Sequence, residues 1–532
     1  MSPNDRYYIT TTIPYVNGKP HIGHAEEFVQ TDAFGRYHRL RGDDTYVLTG
    51  TDENSLTNVL AAEREGLSPQ ELVDRNSLWF KDLADSLGFR YDQFIRTAAD
   101  PRHAAASQKI WRAVEAAGDI YKRRYAGLYC VRCEQYYDES ELIDGLCPEH
   151  GIPPELVEEE NYFFRLSRYG DELHKRISSD ELLIIPDFRK NEVLSFIQQG
   201  LQDFSISRSH TRARGWGIPV PGDSSQVMYV WFDALTNYIS ALDYAEEGEL
   251  FRRYWLENSN RVHELGKGVI RFHAIYWPAM LLSAGIPLPR LEFVHGYINI
   301  AGAKMSKTLG NTIDPNDLVQ QYGREAVRYF LLRGISAARD ADFADVDGFH
   351  DQLRSRYNAD LANDLGNLVN RTITMIGRFA GGVVPAAGPS EEPDISVQSV
   401  AAAIPDLVRE AMEAYNPQAA LSAIWELVTR TNRYVEETAP WTLNREARDG
   451  DERAARRLET VMAVLAESVR IIAAALEPFV PETSQRIAEQ LGIAAELDGP
   501  WPERLRWAGI PAGTHVSRPE PIFPRLETGD AA

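Results

Sequence analysis

The chain opens on alternating strand-like and helix-like patterning. "RYYITTTIPY" is rich in aromatic and β-branched residues and bounded by turn formers, the mark of a strand. "VNGKP" supplies turn chemistry, and from His21 to Leu40 the pattern runs without a proline until Gly42 offers a helical stop. A second strand, "DTYVLTGTD", and a charged helical stretch from Ser68 to Leu87 follow. This order predicts a parallel sheet, whose first crevice is where such sheets bind ligands. From about Tyr121 to Pro221 the texture turns to short segments with cysteines, turns and many charges, which predicts an insertion. "VMYVWFDALTNYISAL" and "LEFVHGYINIAGAKMSK" restore the strand and helix texture. After Arg356, Ala- and Leu-rich amphipathic stretches run through "RLETVMAVLAESVRIIAAALEPFV" and predict a helical bundle. Residues 381–394, "GGVVPAAGPSEEPD", form a Gly/Pro-rich connection within it, and the tail after Pro511 is expected as an appendage.

Composition narrows the class. At 532 residues with 44% hydrophobic, the chain can bury several cores. The start lacks a basic region followed by an apolar run, and the most apolar later stretch carries Arg271, His273 and Pro278, so neither a signal peptide nor a membrane span is expected. All three cysteines lie between Cys130 and Cys147, which excludes a disulfide framework and fits a reducing cytoplasm. The formal charge, 56 minus 78 or −22, argues against sequence-independent coating of nucleic acid, which relies on Lys and Arg neutralising phosphate. A polyanionic partner therefore needs a local basic track.

Three clusters carry chemistry. His21 and His24, around Gly23, share one face of a helix's first turn, where free N–H groups and the positive end of the dipole attract anions. The tetrad H-I-G-H arises by chance in roughly one such chain in a thousand. Far downstream, "GAKMSKTLGN" offers Lys304 and Lys307 in a Gly-flanked loop. Together they suggest two clamps on one triphosphate, each supplying charge where it accumulates during attack on phosphorus. In "YCVRCEQYYDESELIDGLCPEHG", a C-x2-C pair and a C-x2-H pair, thirteen residues apart, can close a tetrahedral shell of sulfur and nitrogen around zinc. Cys130, Cys133, Cys147 and His150 are the expected ligands, and a closed shell implies a structural metal.

HIGH at 21–24 with KMSK at 304–307 resembles the signature pair of class I aminoacyl-tRNA synthetases. "ITTTIPYVNGKPHIGH", "NYFFRLSRYG", "ISRSHTRARGWGIPVP", "YVWFDALTNY", "RFHAIYWPAML" and "VHGYINIAGAKMSK" extend the resemblance, over nearly the whole chain, to the methionyl-tRNA synthetase family. The resemblance implies a Rossmann-like α/β catalytic domain with a zinc-bearing connective insertion and a C-terminal α-helical bundle. The expected division is 1–118 and 223–290 for the two catalytic halves, 119–222 for the insertion, 291–355 for the KMSK loop and stem-contact region, 356–510 for the anticodon-binding bundle, and 511–532 for the tail. It implies activation of L-methionine with ATP to methionyl-AMP and pyrophosphate, then transfer to the 3′-terminal adenosine of initiator and elongator tRNA(Met).

His21, Gly23, His24, Lys304 and Lys307 would then hold ATP, with Mg²⁺ on the leaving phosphates. Ile13, Trp231, Ala234, Leu235, Tyr238, Val269, Phe272 and His273 would line the methionine pocket, with Asp52 on the α-ammonium. Asn367 and Arg371 would read the anticodon beside a stacking tryptophan, for which Trp507 is the first candidate and Trp501 the second. Two departures stand out: Asn54 and Ser55 replace a His-Gly pair common in relatives, and Gly268 stands where an acidic residue is common. With no further tRNA-binding module after the bundle, a monomer is expected. The insertion leaves little room for the editing domain of synthetases for branched aliphatic amino acids. The cysteine enzyme keeps its zinc in the substrate pocket rather than in a separate insertion. A ligase that lost tRNA charging is the remaining alternative, opposed by Asn367, Arg371 and Trp507.

Overall fold

The computed structural model describes residues 5–132, 134–148, 151–304, 312–493 and 500–527. Its contacts divide the chain into two units, residues 1–31 with 44–297, and residues 32–43 with 298–532.

The strands of the first unit are β1 (Arg6–Thr10), β2 (Asp44–Thr51), β3 (Gln93–Arg96), β4 (Ile120–Cys130), β5 (Gln135–Tyr137), β6 (Glu155–Phe164), β7 (Leu183–Ile185), β8 (Phe204–Ser205), β9 (Ser207–Ser209), β10 (Pro219–Val220), β11 (Asp223–Met228), β12 (Arg261–Gly266) and β13 (Leu291–His295). Six of them form one sheet in the order β3-β2-β1-β12-β13-β7, and every pairing in it is parallel. β1 is buried along nearly its whole length, as a strand covered on both faces must be. The opening follows the sequence pattern closely: α1 (Ile22–Arg41) connects β1 to β2, and α2 (Leu56–Glu65) with α3 (Pro69–Leu87) leads on to β3. α3 starts where the sequence changes character because Ser68 and Glu71 form a capping box, a device worth about 1 kcal/mol.

Residues 119–222 build the four-stranded sheet β5-β4-β6-β8 and most of the small sheet β10-β11-β9. They also send β7 back to the edge of the main sheet, beside β13. That return leaves little trace in the sequence, since β7 is three residues long and flanked by charged helices.

The second unit begins with a small sheet of β14 (Ile298–Ile300), β15 (Ala303–Lys304) and β16 (Ala341–Phe343). Helices follow, as the Ala- and Leu-rich periodicity predicts. In the helix Glu452–Leu476 every residue from Thr460 to Leu476 is buried, which makes it the central rod of the bundle. The C-terminal stretch is an ordered strap. Val384 N donates to Thr514 O at 2.8 Å, Arg486 donates to the carbonyls of Pro521 and Ile522, and Asn358 exchanges two hydrogen bonds with the Leu526 backbone. Among the described residues no helix is long and apolar enough to cross a membrane.

Candidate active site

The phosphate end is built by the first turn of α1, which contains no acidic residue to offset the positive end of its dipole. His24 Nδ1 accepts from His21 N at 3.1 Å, and His21 Nδ1 accepts from Gly23 N at 3.1 Å. With both Nδ1 atoms acting as acceptors, the proton of each neutral ring sits on Nε2. Both side chains are half-buried and their rings lie 4.0 Å apart. Gly23 suits this packing, because a Cβ there would stand 3.0 Å from His21 Cε1 and the ring would have to shift by a few tenths of an ångström. Of the KMSK residues, Lys304 ends β15, while Met305, Ser306 and Lys307 lie outside the described residues.

One turn further along α1, Glu27 Oε1 accepts from Thr12 N at 2.5 Å and Thr12 Oγ1 at 2.6 Å, and Glu27 Oε2 faces His295 Nε2 at 3.1 Å. Burial pulls the His295 pKa down, but the Glu27 carboxylate outweighs it and pushes the group up to about 9. A histidine raised in the folded state stabilises the fold fully below its ordinary value near 6.5, and the contribution fades as pH rises through 9. Unfolding free energy is therefore expected to fall between pH 7 and 9.5 by on the order of 2 kcal/mol more in the wild type than in His295→Gln. Denaturant titrations at the two pH values measure it.

The expected amino-acid pocket comes together in the first unit. Trp231 and Phe272 stack at 3.7 Å with planes 4° apart, and Tyr15 stands 6.3 Å from Trp231. Ile13, Leu235, Tyr238, Val269 and Phe272 share one apolar cluster, and Ala234 is buried beside them in the sequence. His273 sits on a π-helical turn, Phe272–Tyr276, a widening of the helix often found at functional sites. Its Nδ1 donates to Val269 O at 2.9 Å, so Nε2 accepts from Tyr238 OH at 2.7 Å. Burial holds His273 down at about 4, so the ring is neutral at physiological pH. The side chains of this cluster are thus aromatic, aliphatic and uncharged, a character suited to a thioether.

Asp52 lies just past β2 and is buried, with Asn54 N donating to Oδ1 at 3.3 Å. Burial raises its pKa well above the usual carboxylate value, and the neighbouring Asp233 and Glu134 add to the shift. The departure at Ser55 has a local use: Ser55 is the N-cap of α2 and accepts from Thr57 N at 3.0 Å. Glu134, from the cysteine-bearing insertion, accepts from the same Thr57 N at 3.2 Å. Sequence reading missed Glu134, whose only sign is a charge between Cys133 and the strand β5.

Around that junction Arg208 is caged by the rings of Tyr229, Tyr136 and Tyr129, at 4.3, 4.9 and 5.1 Å. Asn54, Glu134, Arg208, Arg212 and Trp216 line a small cavity there. Of the four expected zinc ligands, Cys133 and His150 lie outside the described residues. Cys130 and Cys147 are both buried in one small apolar cluster with Tyr137, Leu142 and Ile152. Gly151 N donates to Cys147 O at 2.8 Å, turning the chain back just after the second sulfur. Two buried sulfurs in one cluster, Cys130 at the end of β4 and Cys147 in a turn, supply donors of the kind that zinc takes.

In the second unit Asn367 is exposed at the start of the helix Asn367–Phe379, and Arg371, one turn on, binds Glu436 at 2.7 Å. The two tryptophans named from sequence differ sharply. Trp501 is core, 2% exposed, with its Nε1 donating to Ala474 O. Trp507 is half-buried in a segment whose backbone is gripped by the buried pair Glu467 and Arg470: Arg470 donates to the carbonyls of Arg504 and Arg506, and Glu467 accepts from Gly509 N and Ile510 N. Trp441, by contrast, is 46% exposed, five positions after Glu436, at the start of the helix Pro440–Arg448. An exposed indole beside the Arg371 partner was legible only from "EETAPWTLN", which patterning alone reads as a helix boundary.

Residues 7–153 and 150–373 match the family model "tRNA synthetases class I (M)", and residues 384–532 match "Anticodon binding domain of methionyl tRNA ligase". Relatives named methionine–tRNA ligase include that of Caldanaerobacter subterraneus subsp. tengcongensis, 46% identical over 98% of this chain and 79% of that protein. The Mesorhizobium japonicum protein is 44% identical over 98% of each chain. Among solved structures, Mycobacterium tuberculosis methionyl-tRNA synthetase in complex with methionyl-adenylate superposes with a TM-score of 0.90 at 40% identity, covering 98% of this chain and 100% of that one.

Proposed function

Because the chain belongs to the methionyl-tRNA synthetase family, we infer that it ligates methionine to tRNA through the residues gathered around α1 and the Trp231–Phe272 stack. It is an ATP-dependent aminoacyl-tRNA synthetase. The observation that supports the residue assignments is the uncharged aromatic cluster in the same unit as the paired imidazoles. In the first step the ionised carboxylate of methionine attacks the α-phosphorus of ATP and pyrophosphate leaves. No protein nucleophile is needed, so the chain contributes position and charge. The Nε2–H groups of His21 and His24 donate to phosphate oxygens as charge builds on them, and the Gly23 backbone lets the nucleotide approach. Lys304 and Lys307 add positive charge for the leaving pyrophosphate. Charge on the leaving phosphates would also be offset by Mg²⁺ arriving with the nucleotide.

Methionine's thioether lies against Trp231, Phe272, Ile13, Ala234, Leu235 and Val269, with Tyr238 and His273 closing the pocket and Asp52 receiving the ammonium. In the second step a ribose hydroxyl of the terminal adenosine of tRNA(Met), initiator or elongator, attacks the activated carbonyl and releases AMP. Cys130, Cys133, Cys147 and His150 hold a structural zinc in the insertion 119–222; elemental analysis should find one equivalent per chain. The catalytic halves are 1–118 and 223–290, and the bundle 356–510 reads the anticodon as a cytoplasmic monomer. ATP–pyrophosphate exchange across the amino acids, followed by charging, tests the assignment. Methionine alone should support exchange, and both tRNA(Met) species should be charged.

Asn367 and Arg371 read the anticodon, and exposure favours Trp441 over Trp507 as the stacking platform. Stacking of a base on an aromatic ring contributes about 1–3 kcal/mol. Trp441→Ala should therefore lower kcat/KM for charging by roughly 10- to 100-fold with exchange unchanged. Trp507→Ala should lower the melting temperature and leave the KM for tRNA within about twofold, since its half-buried ring lies in a segment pinned by the Glu467–Arg470 pair.

A further inference from the structure

Between the pocket residues Trp231 and Ala234 lies Asp233, on the short helix Val230–Ala234. Its carboxylate is fully buried and neither oxygen has a hydrogen-bond partner. The nearest cationic candidate, His103 Nε2, is 3.9 Å from Oδ1 and also lacks a hydrogen-bond partner. His103 is held from its other side by Ser240 Oγ, 2.8 Å from Nδ1. The Asn54 side chain also faces Asp233 and, with His103, favours its ionised form, although its Nδ2 makes no hydrogen bond of normal geometry. Buried polar groups are nearly always satisfied, and a buried carboxylate left so is a place where a ligand's charge is expected.

The ligand's position is given by the second carboxylate. Among the charges acting on Asp52, Asp233 is the foremost; Glu134 and Glu53 also face it, and Tyr15 lies alongside. Glu53 is already paired with Arg96 at 2.6 Å, and Glu134 is turned to the amino end of α2. Neither Asp52 nor Asp233 has an arginine or lysine within ion-pair distance among the described residues.

We propose that Asp233 is a positioning residue for the substrate's α-ammonium: acting through Asp52, its negative charge, which no arginine or lysine offsets among the described residues, makes the carboxylate pair hold a single cation, which the amino acid supplies. The inference rests on the reading that Asp52 receives the ammonium. It assigns the charge that makes the site demand an amine to a residue one step behind the contact.

The test is Asp233→Asn, which keeps the shape and removes the charge. The KM for methionine in ATP–pyrophosphate exchange should rise about tenfold while kcat stays within about threefold. Inhibition by methioninol, which keeps the ammonium, should weaken about tenfold, whereas 2-hydroxy-4-methylthiobutanoate, which lacks it, should inhibit both proteins alike. With the like charge gone, the acid limb of the methionine KM profile should move to lower pH. Unchanged methionine KM and methioninol inhibition overturn the proposal, as does equal weakening of both inhibitors, which would mean altered pocket shape. Asp52→Asn separates the levels. If it leaves the methionine KM unchanged, the ammonium reading itself fails. If it raises KM while Asp233→Asn does not, only this inference fails. Should Asp233→Asn not fold, Asp233→Ser carries the same two inhibitor readings.

Discussion

Replacing His24 with alanine is expected to lower kcat for methionine-dependent ATP–pyrophosphate exchange by about 100- to 1000-fold, with the KM for methionine changed less than about threefold. The imidazole's Nδ1 accepts from His21 N, so the proton of the neutral ring sits on Nε2, which can donate to a phosphate oxygen. A donor aimed at charge that develops only in the transition state affects kcat rather than substrate binding. Its loss should be read in exchange kinetics with a melting curve alongside, because the ring also packs edge-on against Phe80 at 5.3 Å. Loss of activity with an unchanged melting temperature identifies the phosphate role. Parallel loss of both would identify a packing role. Gly23→Ala should reproduce part of the defect, since its Cβ displaces the His21 ring.

The second large effect concerns the bundle. Arg470→Leu is expected to destabilise the second unit by about 3–5 kcal/mol, read as a lower denaturant midpoint. Arg470 and Glu467 are each 3% exposed and 2.6 Å apart, so removing the guanidinium leaves a buried carboxylate uncompensated. It also frees the carbonyls of Arg504 and Arg506 that the arginine holds. The double variant Glu467→Leu with Arg470→Leu should recover part of the loss, because no buried charge then remains. A double variant as unstable as the single one would show that the carbonyl contacts, rather than the charge, dominate.

What the sequence disclosed depended on how local the signal was. The strand, helix and strand of residues 6–51 were readable because each element carries its own period and its own stop, and α3 because its charged helical pattern starts at Ser68. The pocket was readable only as a set: Trp231, Phe272 and His273 are ordinary core residues one at a time, and the stacking of Trp231 on Phe272 joins positions about forty residues apart. β7 was hidden because three residues cannot establish a period. Asp233, Glu134 and Arg208 were hidden for another reason. Their importance lies in what surrounds them after folding, a lack of partners or a cage of rings, and burial of a single charge leaves no periodic trace. The tryptophans of the second unit show the converse. "LRWAGIPAG" looks like a free loop, yet the Glu467–Arg470 pair pins its backbone, while Trp441 is the more exposed indole.

The most direct measurement is a crystal structure of the protein with methionine and a non-hydrolysable ATP analogue bound together. An α-phosphate oxygen is expected within about 3 Å of an imidazole nitrogen of His21 or His24. The methyl thioether is expected against the Trp231 and Phe272 rings and the ammonium on Asp52. A nucleotide seated away from the first turn of α1, or a thioether outside the aromatic walls, would contradict these assignments.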